Sequence, residues 1–224
     1  MTVGVFDSGA GGLLTLSYLR ALMPHIDVSF LSDRKNSPYG NKDEETLIRL
    51  VGENVEILKS HGAGVILMAC CTASTLYQRL SEGYRSITVP IIDPIAREAQ
   101  KSTKNRRVAV IATEATVRKK AFSGAIKALD PSICVKEFAA QELVQLVENK
   151  SHDIKKIKEV LEPLKSEDVD TLVLGCTHFP ALRAEISELF PGITLINSAL
   201  IGAIEISKKV IDKGDGKTVF LEKQ

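Results

Sequence analysis

The sequence predicts an α/β fold built as two similar, doubly wound parallel-sheet domains. Three observations carry that prediction. Short β-branched, apolar runs alternate with longer amphipathic stretches along the chain. One pattern of apolar strand, small residue and cysteine occurs twice, about half a chain apart. No linker or low-complexity tract interrupts the alternation.

Strands are read at Val3–Asp7, Val28–Ser32, Val65–Cys70, Val89–Ile92, Val108–Ala112, Cys134–Phe138, Thr171–Gly175 and Thr194–Ile196. Between them lie Glu45–Ser60, Thr116–Leu129, Gln141–Glu148, Ile154–Lys165 and Pro180–Leu189. Their apolar residues recur every three or four positions, the spacing that lines one face of a helix. Such alternation marks a mostly parallel sheet covered by helices on both faces.

The chain has 224 residues, 44% of them hydrophobic and 25% charged, enough for one large domain or two small ones with a proper core. Lys and Arg number 29 against 28 Asp and Glu, so the overall basic surplus typical of nucleic-acid or anionic-membrane binders is missing. No run approaches the roughly eighteen consecutive apolar residues of a membrane span. The opening MTVGVFDSGAGG lacks the basic-then-apolar layout of an export signal. The expectation is a cytoplasmic protein with no nucleic-acid or membrane partner. Its cysteines, Cys70, Cys71, Cys134 and Cys176, should then be reduced and serve packing, metal binding or chemistry.

The repeated pattern is Val65-Ile66-Leu67-Met68-Ala69-Cys70-Cys71-Thr72 and Thr171-Leu172-Val173-Leu174-Gly175-Cys176-Thr177-His178. Ligands in open α/β sheets bind outside the carboxyl ends of strands, so both cysteines are expected at a cleft. Two such halves place the active site in the cleft between them. The plainer reading is coincidence, because cysteine is among the most buried residue types.

Paired thiols suit the movement of an α-proton. That carbon is a weak acid, and inverting it takes a base on one face and an acid on the other. A free thiol has a pKa near about 8.5, so the working thiolate needs a cation, a helix N-terminus or hydrogen-bond donors nearby. Thr72 and Ser74 follow the first cysteine, and Thr177 and His178 the second. Backbone amides opening the following helices suit a substrate carboxylate. After the first strand comes Asp7-Ser8-Gly9-Ala10-Gly11-Gly12, whose glycines permit a tight turn and close backbone approach. It meets neither the G-x-G-x-x-G fingerprint nor a Gly-Lys-Ser/Thr phosphate loop. Asp7 there either caps a helix or assists Cys70 and the substrate ammonium. Pro38-Tyr39-Gly40 is, by composition, a turn.

Taken in order, these segments resemble the glutamate racemases of the cofactor-independent aspartate/glutamate racemase family. Gly4-Val5-Phe6-Asp7-Ser8-Gly9-Ala10-Gly11-Gly12-Leu13 looks like that family's opening, and Pro38-Tyr39-Gly40 like its substrate loop. Ala69-Cys70-Cys71-Thr72-Ala73-Ser74 resembles its first catalytic motif, and Leu174-Gly175-Cys176-Thr177-His178-Phe179-Pro180 its second. Ala112-Thr113-Glu114-Ala115-Thr116-Val117 looks like the turn that opens its second domain.

The resemblance implies that Cys70 and Cys176 are the acid/base thiols, with Asp7 and His178 tuning them or relaying protons. It makes Asp7, Ser8, Pro38, Tyr39, Gly40, Cys71, Thr72, Thr113, Thr116, Thr177 and His178 substrate contacts, the backbone around Tyr39 and Gly40 facing the side-chain carboxylate. It implies interconversion of L- and D-glutamate without pyridoxal phosphate, metal or other cofactor, supplying D-glutamate for peptidoglycan and hence cell shape. A homodimer is compatible with it. One domain would comprise residues 1–93 plus the returning segment 197–224, the other residues 94–196. The family has Asn where this chain has Cys71, and Asp where it has Asn197.

Three alternatives stay open. Cys70, Cys71, Cys176 and His178 are zinc-ligand types, although neighbours on an extended strand point to opposite faces and no C-x-x-C occurs. A related racemase acting on aspartate or another small dicarboxylate would share the two-cysteine logic. A catalytically weak binding or regulatory descendant would fit the Cys71 replacement. Cys134 reads as a core residue, and His25, His61 and His152 as surface or helix-end residues. The lysines near Lys155 and Lys208 read as solvated helix faces.

Overall fold

The computed structural model describes residues 1–223. The chain divides into two compact units, Met1–Ile91 with the chain from Ala199 onward, and Ile92–Ser198. Each carries its own parallel sheet.

The first unit contains β1 (Thr2–Asp7), β2 (Asp27–Ser32), β3 (Ala63–Met68), β4 (Thr88–Pro90) and, far along the chain, β9 (Thr218–Glu222). Its strand order is β4-β3-β1-β2-β9, and every pairing is parallel. Its helices are α1 (Gly12–Leu22), α2 (Glu44–Ser60), the short α3 (Cys71–Ser74) and α4 (Glu82–Arg85), and α11 (Ser198–Ser207). Successive strand residues face opposite ways, and each face has its own helical cover. Phe6, Leu31, Ile66 and Met68 share a core with Leu47, Leu50, Val51, Val55 and Leu58 of α2. On the other face Gly202 of α11 comes within contact range of Leu67 and of Thr15 of α1. The sheet is thus wound on both sides.

α2 starts where Asp43 accepts from the Thr46 amide (2.8 Å) and hydroxyl (2.6 Å), capping amides the helix cannot satisfy internally. These two hydrogen bonds hold the Asp43 carboxyl below its ordinary range.

The second unit holds β5 (Arg107–Ala112), β6 (Cys134–Ala139), β7 (Thr171–Gly175) and β8 (Thr194–Asn197) in the order β6-β5-β7-β8, again all parallel. Its helices are α5 (Ile92–Ser102), α6 (Glu114–Arg118), α7 (Ala121–Leu129), α8 (Gln141–Glu148), α9 (Ile154–Leu161) and α10 (Arg183–Leu189). Ala109, Ile111, Leu172 and Leu174 pack with Leu143 and Val144 of α8, Ile157 of α9 and Ile186 of α10. α5 packs on β7 and against α7.

Several readings need correction. Thr116–Leu129 is two helices, broken where Lys120 turns left-handed at φ 48°. β3 stops at Met68 rather than Cys70, since the Ala69 amide makes the last bond to Phe6 O (3.0 Å) and the chain then turns. Ile92 opens α5 instead of ending β4. Cys134 is exposed, because it begins β6 at the edge of its sheet. β9 was not read: it is a short edge strand with mostly exposed side chains, so it lacks a buried apolar face.

Candidate active site

In the first unit, the register sets the chemistry. Phe6 pairs with Met68, so the chain leaves β1 and β3 side by side, and Ser8 Oγ lies 3.3 Å from Cys70 Sγ. Both residues are buried. Asp7 is fully buried, and its Oδ1 accepts from the Gly9 amide at 2.9 Å. It does not cap α1, whose N-cap is Gly11. A Cβ on Gly12 would sit 2.5 Å from Asp7 Cβ, so the glycine is what lets α1 begin against this carboxylate. Ser32 Oγ donates to Gly9 O (2.7 Å) and ties the loop to the end of β2.

Cys71 and Thr72 are buried in α3, next to Cys70. Ser74 is structural: its hydroxyl donates to Met68 O (2.9 Å) and accepts from the Ile91 amide (3.2 Å), joining the ends of β3 and β4.

Pro38 is exposed, while Tyr39 and Gly40 are buried in a 3-10 turn. The Tyr39 hydroxyl donates to Asp33 Oδ2 (2.6 Å) and accepts from Asn54 Nδ2 (2.8 Å). Burial, then the bond to Asp33 and its charge, pushes this phenol far above its ordinary range, so it stays neutral. Both of its ordinary hydrogen-bonding roles are taken, and the Tyr39 carbonyl accepts from the Lys42 amide at 3.2 Å.

In the second unit, Ala112 pairs with Gly175, so Thr113 and Cys176 leave the sheet on adjacent strands. A Cβ on Gly175 would meet the Phe122 ring at 2.7 Å and Ile111 O at 2.8 Å, so only glycine fits before the cysteine. Cys176 Sγ lies 3.6 Å from His178 Nδ1, and His178 Nε2 lies 2.6 Å from Glu148 Oε1. A thiol, an imidazole and a carboxylate stand in line, able to pass a proton from buried sulfur to the half-exposed Glu148. Thr177 is buried between Cys176 and His178 in sequence. Thr113 and Thr116 are buried with their hydroxyls 2.9 Å apart.

Glu148, Asp33 and Asn54 went unread as site residues. Glu148 ends α8, thirty residues before His178, in no local motif. Asp33 directly follows β2, and a carboxylate at a strand's carboxyl end was the available signal. A cavity of about 460 Å³ also lies beside β2 and β9, bordered by Leu13, Phe30, Phe220 and Lys223 and by none of the anticipated site residues. Among the described residues, no three His, Cys, Asp or Glu side chains are grouped to hold a metal ion, and no helix is long and apolar enough to cross a membrane.

Two all-parallel α/β units, each with a buried thiol just past a strand end, have the equipment of a racemase-type isomerase. The chain belongs to the Asp/Glu/hydantoin racemase family, whose model matches residues 21–206. The curated glutamate racemase of Aquifex aeolicus is 35% identical over 222 residues, covering 96% of this chain and 86% of its own. The crystal structure of glutamate racemase isoform RacE1 from Bacillus anthracis matches with a TM-score of 0.88 at 32% identity, over 99% of this chain and 87% of that one. Escherichia coli glutamate racemase, solved with L-glutamate and the activator UDP-MurNAc-ala, matches with a TM-score of 0.77 at 30% identity, over 92% and 81%.

Proposed function

We propose that this protein interconverts L- and D-glutamate, with Cys70 and Cys176 as the two acid/base groups. The observation that carries the mechanism is that each unit places a buried cysteine just past the end of an interior strand, with a polar partner on its sulfur, Ser8 at 3.3 Å and His178 at 3.6 Å. Relatives named glutamate racemases at about a third identity support the substrate.

In the proposed cycle one cysteine, as thiolate, takes the α-proton and becomes a thiol. The other, as thiol, protonates the opposite face of the carbanion and becomes a thiolate. The reverse reaction runs with the roles exchanged. Repeated turnover in one direction also needs the protons redistributed, which falls to Asp7 and Ser8 on one side and to His178 and Glu148 on the other. Ser8, Cys71, Thr72, Thr113, Thr116, Thr177 and the backbone from Pro38 to Gly40 are assigned to substrate binding. Both proton transfers fall to side chains, so the scheme uses no pyridoxal phosphate or metal. The product D-glutamate would serve peptidoglycan synthesis.

The test is proton NMR of each glutamate enantiomer incubated with the reduced protein in deuterated water, followed by chiral chromatography. Loss of the α-proton signal with formation of the opposite enantiomer is expected. Exchange with aspartate alone would move the substrate within the family, and exchange with neither would defeat the racemase reading.

A further inference from the structure

The register of β2 and β9 extends beyond the sheet. Ser32 pairs with Glu222, so the next residues, Asp33 and Lys223, leave the sheet together. Asp33 is fully buried, and Lys223, 12% exposed, is the cation paired with it. Lys223 Nζ reaches Glu53 Oε2 (2.7 Å), Asn54 Oδ1 (3.3 Å) and Asp33 Oδ2 (3.4 Å), one acceptor for each of its three hydrogens. Asn54 passes its amide to the Tyr39 hydroxyl, and Tyr39 donates back to Asp33. The four side chains close a ring, and Asp33 Oδ1 also accepts from Asn36 Nδ2 at 2.8 Å.

We infer that Lys223 is a positioning residue for substrate binding: by neutralising Asp33 it fixes Tyr39 and the backbone of the Pro38–Gly40 turn. This rests on the assignment of that turn to the substrate's side-chain carboxylate. A buried carboxylate stripped of its cation must take up a proton or draw in water, and either changes which groups it can hold. The turn would loosen while both thiols stay in place, so the effect belongs to binding and not to proton transfer.

The experiment compares wild type with Lys223→Met, Lys223→Arg, Asp33→Asn and the double variant Asp33→Asn/Lys223→Met. Kinetics are measured on both glutamate enantiomers, and backbone hydrogen–deuterium exchange is followed over residues 34–42. Lys223→Met is expected to raise KM by about tenfold with kcat within about threefold, and to speed exchange across the turn. Lys223→Arg should recover most of both. On the Asp33→Asn background, where no buried carboxylate needs a cation, adding Lys223→Met should change KM by less than about twofold.

Unchanged KM and exchange in Lys223→Met, or an equal effect in both backgrounds, would overturn the inference. Should Lys223→Met not fold, the two Asp33→Asn proteins carry the test, and a clear KM difference between them overturns it. If the wild type racemises neither glutamate enantiomer, the functional proposal fails, and hydrogen exchange alone still decides whether Lys223 orders the turn.

Discussion

His178 stands between a thiol and a carboxylate, with Nδ1 3.6 Å from Cys176 Sγ and Nε2 2.6 Å from Glu148 Oε1. In the proposed cycle this arrangement serves as the proton route of Cys176, as Ser8, 3.3 Å from the Cys70 sulfur, does for Cys70. Replacing Glu148 by Gln keeps a hydrogen-bonding group and removes the base. We expect kcat to fall by about tenfold or more with little change in KM. Enantiomers are equal in free energy, so kcat/KM must fall equally in both directions. Circular dichroism kinetics from each enantiomer checks both points, and an unchanged kcat would remove Glu148 from the relay.

The proposed two-base cycle requires each thiol for inversion. Cys70→Ala and Cys176→Ala are each expected to slow racemisation by at least about a thousandfold. Solvent deuterium should still enter one enantiomer in each variant, and a different one in the two, because the remaining thiol serves a single face. Identical exchange patterns would argue against a two-base division of labour.

Gly175 carries β7 past Phe122 and Ile111 O with no room for a methyl group. Gly175→Ala should cost about 1–3 kcal/mol in urea unfolding and lower kcat, since Cys176 is the next residue. Gly83→Ala, where an added Cβ meets nothing within 4 Å, is the matched control and should leave both unchanged or slightly raise stability.

Cys71, which by the resemblance drawn from the sequence stands in place of an Asn, is buried beside Cys70. An amide offers two donors and an acceptor where a thiol offers one weak donor. Cys71→Asn is therefore expected to lower KM for glutamate, by about tenfold if the amide finds the substrate head group. A raised KM with intact folding would show that the site is built around the thiol.

Asp170 links stability to pH. Burial disfavours its charge, but donors from Thr103 (2.7 Å), Lys104 N (2.6 Å), Asn105 N (2.7 Å) and Thr171 (2.9 Å) outweigh that and hold its pKa below the ordinary value. A lowered folded-state pKa contributes stability above the unfolded value, near about 3.9, and loses it as pH falls through the folded one. The stability gap between wild type and Asp170→Asn should be full at pH 7 and shrink below about pH 4. Urea melts at both pH values measure it.

The sequence made the strands legible because β1, β5, β7 and the last three residues of β3 are buried on both faces and read as apolar runs. The same property exposed the cysteines, since each follows such a run. The break at Lys120 was hidden, as a left-handed lysine leaves no mark on an apolar periodicity. β9 was hidden for the opposite reason: Val219 and Phe220 are exposed, and the strand is defined by its partner, not by its own burial. Glu148 and Lys223 act on residues thirty and 190 positions away, and no local pattern announces contacts of that range.

The β2–β9 pairing also constrains the order of assembly. The second unit is one continuous stretch of chain, so every contact it needs is available once residue 198 has been made. The first unit is not: Asp27 and Lys217 meet across 190 residues. During synthesis its four earlier strands must wait, with the flank of β2 uncovered, while the whole of the second unit emerges. Pairing between strands so far apart in sequence forms late, because both partners must first exist. The second unit therefore has the kinetic advantage, and the completion of the first is the event that follows it.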